Sequence, residues 1–364
     1  MNKTKYVLDK NLRGEAIISD SSLENFWLSE DVTCSSPTQD ICFYHASLPS
    51  APYSEQLHIM GLPFADGSNH PDSKVRQFPA TLRYVSTKTP LYPALERTQS
   101  SGIFDINYQE HILTHCHLHD CGDMSLQDYN AEALSQSLEL PIRQFCSANA
   151  KFAYIGGDHS VTYHILKQLK QNGRRILYLH FDAHLDCGSD PLRLDHEVHH
   201  GNFVRHLLAN QIVEHVIQLG VRGLRSLGQY YEHPRLSCIP AAQLNAQELQ
   251  HILESLSAYH YDIYVSFDVD VLDPSVFPFV DFPSPGGPSA HVLLDVIRSL
   301  RYVPGIIGMD LVEGHGADIN AERIPFQYDT VIHIFSQLLH MLQQSVSIPE
   351  RSIPHEYENN TITK

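Results

Sequence analysis

No apolar run in this 364-residue sequence comes near the roughly 18 residues that a membrane-spanning helix needs, and the polar stretch Met1 to Lys10 has no apolar core of the kind a secretory leader carries. A cytosolic protein with no membrane partner is the expectation. Positive charge is also scarce. The 25 basic residues face 42 acidic ones, and a formal net charge of -17 argues against nucleic acid or an anionic lipid surface while being compatible with a cationic ligand. Cysteine pairing is absent too: the seven cysteines (Cys34, Cys42, Cys116, Cys121, Cys146, Cys187, Cys238) are odd in number and scattered, with no C-x-x-C spacing, so reduced thiols are expected. There is no internal repeat, no Gly-rich phosphate cradle and no basic cluster of the kind a two-metal phosphoesterase would use.

What the chain does have is 42% hydrophobic residues, enough to bury a substantial core, and 24 histidines. That is roughly three times an average usage, so a histidine by itself carries little weight here. Residues 1–52 alternate short apolar runs with Ser, Thr, Asp and Pro and read as an irregular N-terminal extension; residues 349–364 read as a polar tail. Between them, over 53–348, short apolar segments alternate with helical ones. The strand candidates are Leu57 to Leu62, Phe152 to Ile155, Ile176 to Phe181, Val213 to Leu219, Ile263 to Phe267 and Ile306 to Leu311. Helical stretches fall at Ser160 to Gln171, Asn245 to Leu256, Ser289 to Leu300 and Tyr328 to Gln344, long enough for right-handed crossovers. The fold class expected is α/β, a three-layer α/β/α sandwich around a central, mostly parallel sheet.

Ligands of such sheets collect outside the carboxyl ends of the strands. Three of those positions are rich in metal-binding side chains. Gly156-Gly157-Asp158-His159-Ser160 follows the second candidate strand, Asp182-Ala183-His184-Leu185-Asp186 the third, and Asp268-Val269-Asp270 the fifth. Asp158 reads as a cap of the following helix. The other six (His159, Asp182, His184, Asp186, Asp268 and Asp270) would converge on one edge, where crowded carboxylates raise one another's pKa unless a cation neutralises them. Six hard or borderline donors exceed what one zinc with an open position needs, and four aspartates suit two ions bridged by carboxylates. Oxygen-rich coordination with two imidazoles fits manganese best, with iron, cobalt or nickel open.

These segments resemble the ureohydrolase family of arginases, agmatinases and formimidoylglutamases. The Gly-Gly-Asp-His-Ser, Asp-Ala-His-x-Asp and Ser-Phe-Asp-Val-Asp-x-Leu-Asp-Pro signatures occur in family order, the last as Ser266 to Pro274. Gly61-Leu62-Pro63-Phe64, Phe78 to Arg83 and Asp120-Cys121-Gly122-Asp123 resemble further family segments, and the likeness runs from about Leu57 to Gln344. It implies an arginase-like metallohydrolase domain over 53–348 that forms homo-oligomers, trimers or hexamers. It also implies two Mn2+ per chain, one held by His159, Asp182, Asp186 and Asp268 and the other by Asp182, His184, Asp268 and Asp270. A hydroxide bridging the ions would attack the guanidinium carbon, with Asp186 accepting a hydrogen bond from it, and release urea and an amine. His200 matches the family's proton-shuttling histidine, and Glu313 the carboxylate that receives the substrate's cationic group.

Three departures bear on the substrate. Gly314-His315-Gly316-Ala317-Asp318 replaces the family's usual continuation after Glu313, and Phe279-Val280-Asp281-Phe282-Pro283 replaces a small hydroxyl-bearing loop, so Asp281 and Phe282 should reshape the pocket. Gly220 to Arg225 lacks the acidic residues that arginases use for a free ammonium group; the segment Arg222 to Arg225 offers cations instead, and Arg225 would repel such a group. Free arginine is therefore disfavoured against agmatine, a guanidino acid, guanidine or arginine within a peptide. A formimino hydrolase releasing formamide is the alternative enzyme, and a non-catalytic metal-binding relative the alternative outside catalysis.

Overall fold

The computed structural model describes residues 33–35, 43–45, 57–70, 73–88, 102–114, 116, 118–126, 130–188, 197–224, 231–256, 260–319 and 324–346. Most of the N-terminal extension, all of the C-terminal tail and Arg225 lie outside the described residues. Eleven strands are present among them: β1 (Thr33–Ser35), β2 (Leu57–Gly61), β3 (Ile103–Asp105), β4 (Glu110–Ile112), β5 (Leu118–Ser125), β6 (Lys151–Ile155), β7 (Ile176–Phe181), β8 (His215–Leu219), β9 (Leu236–Ile239), β10 (Asp262–Asp268) and β11 (Ile306–Val312). The helices are α1 (Phe78–Lys88), α2 (Ala131–Ala148), α3 (Ser160–Gln171), α4 (Phe203–Ala209), α5 (Ala246–Ser255), α6 (Ala290–Ser299) and α7 (Gln327–Gln344).

Nine strands form one sheet in the order β1-β5-β2-β6-β11-β10-β7-β8-β9, parallel except that β1 runs against β5. Successive side chains of a strand face opposite sides of the sheet. In β7, Leu177, Leu179 and Phe181 accordingly enter one core with α1, α5, α6 and α7, while Ile176 and Tyr178 enter another with α2, α3 and α4. This is the three-layer sandwich expected from the sequence. All six expected strands are present, within two residues at each end. Asn245 and Ser289, expected inside helices, instead cap them, accepting the N–H of Glu248 and Val292 respectively.

The pass along the sequence missed β1, β3, β4, β5, β9, α1, α2 and α4. Strand β5 carries Asp120 and Asp123 into the interior, where Arg83 on α1 neutralises them. Its Nε and Nη2 meet Asp120 at 2.8 and 3.2 Å, and its Nη1 meets Asp123 at 2.8 Å. Asp120 also accepts the N–H of Phe43, whose ring lies 4.8 Å from the guanidinium carbon, so a piece of the N-terminal extension is fastened here. Helix α2 contains Pro141, which removes a hydrogen-bond donor mid-helix and disguises the pattern.

Two interior histidines make the fold acid-sensitive. His58 on β2 stacks on His119 and packs at a tilt against Phe145, and burial, then His119, pushes its pKa down to about 3. His164 on α3 is buried with neither ring nitrogen hydrogen-bonded among the described residues; burial, then Lys167, pushes it down to about 4. Both titrate below the ordinary value near 6.5, so the unfolded chain binds more protons and stability falls as pH drops from about 6.5 towards 4. His164 alone should cost about 2 kcal/mol between pH 7 and pH 5. Urea denaturation of His164→Phe at both pH values is expected to show a loss smaller than wild type by roughly that amount; an equal loss would contradict this role.

Candidate active site

Four adjacent strands, β6, β11, β10 and β7, end at one place, and each delivers part of the site. After β6 the chain turns at Gly156-Gly157. A β-carbon on Gly157 would fall 1.6 Å from the carbonyl oxygen of Phe64, so only glycine allows this approach. Asp158, expected to cap the following helix, accepts the N–H groups of Gly67 and Ser160, whereas the N-cap position of α3 falls to His159, which makes no side-chain cap bond.

The His159 ring has a defined orientation. Ser266 gives its hydroxyl hydrogen to Asp310, which also accepts from Thr162 (2.8 Å) and Tyr264 (3.0 Å). Ser266 Oγ can therefore only accept from His159 Nε2, 2.8 Å away, which places the hydrogen on Nε2. The lone pair on Nδ1 then faces carboxylate oxygens of Asp268, Asp182 and Asp186 at 3.0, 3.1 and 3.4 Å. A lone pair turned on three carboxylates is repulsive unless a cation lies between them, and the donor types fit one.

A second group lies beside the first. His184 Nδ1 is 2.8 Å from Asp270 Oδ2 and 3.4 Å from Asp182 Oδ1, and Asp182, His184 and Asp270 can each turn a donor atom to one point. The carboxylates are braced by backbone. Asp268 accepts the N–H of Asp270 at 2.7 Å, Asp270 that of Ala183 at 3.1 Å and Asp182 that of His184 at 2.5 Å. Burial, then the neighbouring carboxylates, pushes Asp186 up to about 6 and raises Asp268 and Asp270, while His180, followed by His159, overcomes burial to hold Asp182 down. Burial opposes charge on His184, yet Asp270 and Asp182 push it up to about 11. The six residues singled out in the sequence are thus brought together, divided between two groups that share Asp182.

His180, which the sequence reading passed over, joins them from within β7. It too has a defined tautomer. Gln218 Nε2 donates to the Leu185 carbonyl at 2.6 Å, which fixes the amide, and its other hydrogen points at His180 Nδ1, 3.2 Å away. Nε2 of His180 then carries the hydrogen and sits 2.8 Å from Asp182 Oδ2. His180 thus faces that carboxylate in a close electrostatic contact that lacks hydrogen-bond geometry, and Asp182 Oδ2 makes no hydrogen bond among the described residues; the alternation of 178, 180 and 182 along one face was the available signal.

His200 and Glu313 form a third element. His200 Nδ1 meets Glu313 Oε1 at 3.0 Å, and the same oxygen accepts the N–H of His159 at 2.7 Å. The N–H of Asn69 points at His200 Nε2 from 3.3 Å. Burial disfavours charge on His200, but Glu313 outweighs it and pushes the imidazole up to about 9. The Asn69 amide works against a proton on Nε2, but at that distance the Glu313 attraction dominates. Asp186 and Glu313 both hold left-handed backbone, φ 49° and 65°, a strained state for residues with a β-carbon.

The divergent loops meet beside this pair. Val280 and Gly314 form an isolated bridge, Asp281 Oδ1 pairs with His315 Nε2 at 2.6 Å, and Ser68 donates to Asp281 Oδ2 at 3.2 Å. The Asp281 carboxylate is thereby covered, with its side chain 1% exposed, whereas the Phe282 ring is exposed and lies 5.4 Å from His200. Arg222 needs a correction: it was expected to present a cation to the pocket, and its guanidinium is instead turned into backbone carbonyls of residues 220, 270–272 and 284.

The Arginase family profile matches residues 55–318. The chain belongs to the arginase family. This arginase-family chain is 27% identical over 278 residues to an agmatinase of Serratia proteamaculans, covering 74% of the chain and 84% of that relative. Among solved structures it is similar to a hypothetical agmatinase from Burkholderia thailandensis (TM-score 0.67, 20% identity, 85% of this chain, 92% of the other). It is also similar to a Trypanosoma cruzi formiminoglutamase solved with Mn2+ (TM-score 0.64, 19% identity, 84% and 99%). The two solved structures share its fold. As a member of this family it is a hydrolase of carbon–nitrogen bonds in linear amidines, and none of its described helices is long and apolar enough to cross a membrane.

Ser266→Ala would free the His159 ring while leaving Asp310 its bonds from Thr162 and Tyr264. Losing such an outer support typically weakens metal binding by about 10- to 100-fold. Mn2+ titration should show this loss at the site that includes His159 with little change in thermal midpoint; unchanged affinity would refute the tautomer argument.

Proposed function

We propose that this arginase-family hydrolase uses two divalent cations, manganese by preference, to hydrolyse a guanidino compound other than free arginine into urea and an amine. The observation that carries the proposal is the His159 Nδ1 lone pair facing three carboxylate oxygens, with a second donor group beside it. In this reading one cation is held by His159, Asp182, Asp186 and Asp268 and the other by Asp182, His184, Asp268 and Asp270, so Asp182 and Asp268 are shared. Bound there, two dications would acidify a water by several pKa units and polarise the carbon under attack. Manganese is favoured by the oxygen-rich donor set and by the ion present in the T. cruzi formiminoglutamase structure, with iron, cobalt or nickel as other candidates.

The protein's own groups supply the rest. Asp186 accepts a hydrogen bond from the attacking water, and Glu313 receives an N–H of the substrate through Oε2, which makes no hydrogen bond among the described residues. His200, held by Glu313 at Nδ1, exchanges its Asn69 contact for the leaving nitrogen and delivers a proton to it from Nε2. Phe282, with Asp281 behind it, forms part of the substrate wall. Arg225 is read as a further substrate-facing residue that repels an α-ammonium group. A domain over 53–348, assembly into a trimer or hexamer and a cytosolic location complete the proposal from the family likeness.

Asp268→Ala should lose bound metal, because a shared carboxylate serves both ions, whereas His200→Ala should keep both and turn over about 10²- to 10⁴-fold more slowly. Equal metal content in the two variants, measured by elemental analysis after Mn2+ loading, would contradict the assignment.

Urea release over agmatine, guanidino acids, guanidine, peptidyl arginine and arginine tests the substrate. The segment 220–224 offers no carboxylate to an α-ammonium group, so some compound lacking that group should exceed arginine in kcat/KM by at least about tenfold, or about 1.4 kcal/mol. Arginine as the best substrate would overturn this pocket reading. Formamide release from formimidoylglutamate would favour a formimino hydrolase, and no turnover of any compound a non-catalytic relative.

A further inference from the structure

We infer that Arg222 is a positioning residue for the second cation site, acting through the backbone that carries Asp270. The inference rests on the two-metal reading of the site. Arg222 forms no ion pair among the described residues; its guanidinium is spent on main-chain carbonyls. Nη1 donates to Gly220 (3.2 Å) and Val271 (3.0 Å), Nη2 to Asp270 (2.8 Å), Leu272 (3.1 Å) and Ser284 (2.7 Å), and Nε to Ser284 (3.0 Å). A guanidinium has five N–H groups in a rigid planar fork, and here that fork gathers the consecutive carbonyls of 270–272 around one centre.

That turn is the mount of Asp270. The same arginine also grips the loop carrying the site's imidazole, because its backbone N–H donates to Ala183 at 3.0 Å while the Ala183 N–H donates to Asp270 Oδ1 at 3.1 Å. Arg222 therefore ties together the two segments whose side chains, Asp270 and His184, meet at 2.8 Å. None of its hydrogen bonds reaches His159, His180, Ser266 or Asp186; His180 and Ser266 belong to the sheet, and Ser266 holds the His159 ring. The two subsites thus depend on different supports, and loss of the fork should release one ion and spare the other.

Lysine at 222 keeps the charge but offers three donors on a flexible stem, so Arg222→Lys separates the fork from electrostatic attraction, and Arg222→Met removes both. Arg235→Lys is the control: Arg235 also donates to carbonyls, of Leu208 and Val213, at the amino ends of β8 and β9, far from the site. Full-length protein is titrated with Mn2+ by equilibrium dialysis, with the spin-coupled pair followed by electron paramagnetic resonance. Wild type and Arg235→Lys should bind two ions; both Arg222 variants should keep the first at wild-type affinity, bind the second at least tenfold more weakly and give the signal of an isolated ion. Two ions at wild-type affinity in Arg222→Lys would overturn the inference while leaving the two-metal reading intact. Parallel weakening of both ions with a lowered thermal midpoint would overturn it as general destabilisation. A wild type that fails to bind a second ion would overturn the two-metal reading and this inference with it.

Discussion

Mutual repulsion among buried carboxylates is the constraint on which this site depends. Asp182, Asp186, Asp268, Asp270 and Glu313 are each less than about a tenth exposed and stand at the ends of three adjacent strands, β11, β10 and β7, where low polarity strengthens their repulsion. Burial followed by these neighbours raises Asp186, Asp268 and Asp270, so ionised they favour any arrangement that adds positive charge. The surroundings counter this with donors aimed at individual oxygens: backbone N–H groups on Asp182, Asp268 and Asp270, and His200 with the His159 N–H on Glu313. Each contact fixes one oxygen and leaves another turned inward. The left-handed backbone at Asp186 and Glu313 belongs to the same pattern, strain retained where a carboxylate must point against the local preference.

The supports differ between the two halves of the site. In the first, register does the aligning, since His180, Ser266 and Asp310 sit side by side across β7, β10 and β11. A row of paired strands cannot shift one member without breaking ladder hydrogen bonds on both sides, so the His159 ring rests on the stiffest part of the molecule. In the second, Asp270 and His184 stand on turns beyond the strand ends, where no ladder reaches, and side-chain to main-chain bonds replace it. This contrast explains why a guanidinium is drawn into the backbone at 222 instead of facing the substrate.

Much of this was legible in the sequence, for identifiable reasons. Strands β7, β10 and β11 are predominantly apolar because both faces of a parallel sheet are covered, and the acidic residues after them stand out against that background. Strand β5 was not legible, because Asp120 and Asp123 look like surface residues until Arg83, 37 and 40 positions earlier, is brought against them. Helix α2 was hidden by Pro141. His180 was passed over inside its strand, and Arg222 was given the wrong direction, since residue type reveals a charge but not whether a carbonyl cluster will claim it. Pairings distant in sequence are what local pattern omits.

The two pocket loops make the same point about selectivity. As separate departures they promised an added carboxylate and an added ring. Folded, they are one structure: the bridge between Val280 and Gly314, the His315 N–H donated to the Phe279 carbonyl and the Asp281–His315 pair lock them together, and a β-carbon at 314 would meet the Phe78 ring at 2.3 Å. Burial opposes charge on Asp281, but hydrogen bonds from His315 and then Ser73 hold it below its ordinary value, and its two oxygens already meet His315 and Ser68 before a substrate arrives. A covered carboxylate with its oxygens already hydrogen-bonded adds little attraction for a substrate cation. What the pair does is fix the loop that carries Phe282, whose exposed ring stands 5.4 Å from His200 and 6.4 Å from His70. The difference from relatives with a hydroxyl at this place is therefore one of shape and lost hydrogen bonding rather than of charge, and discrimination by this wall should follow the size and polarity of the group beside the guanidinium more than its net charge.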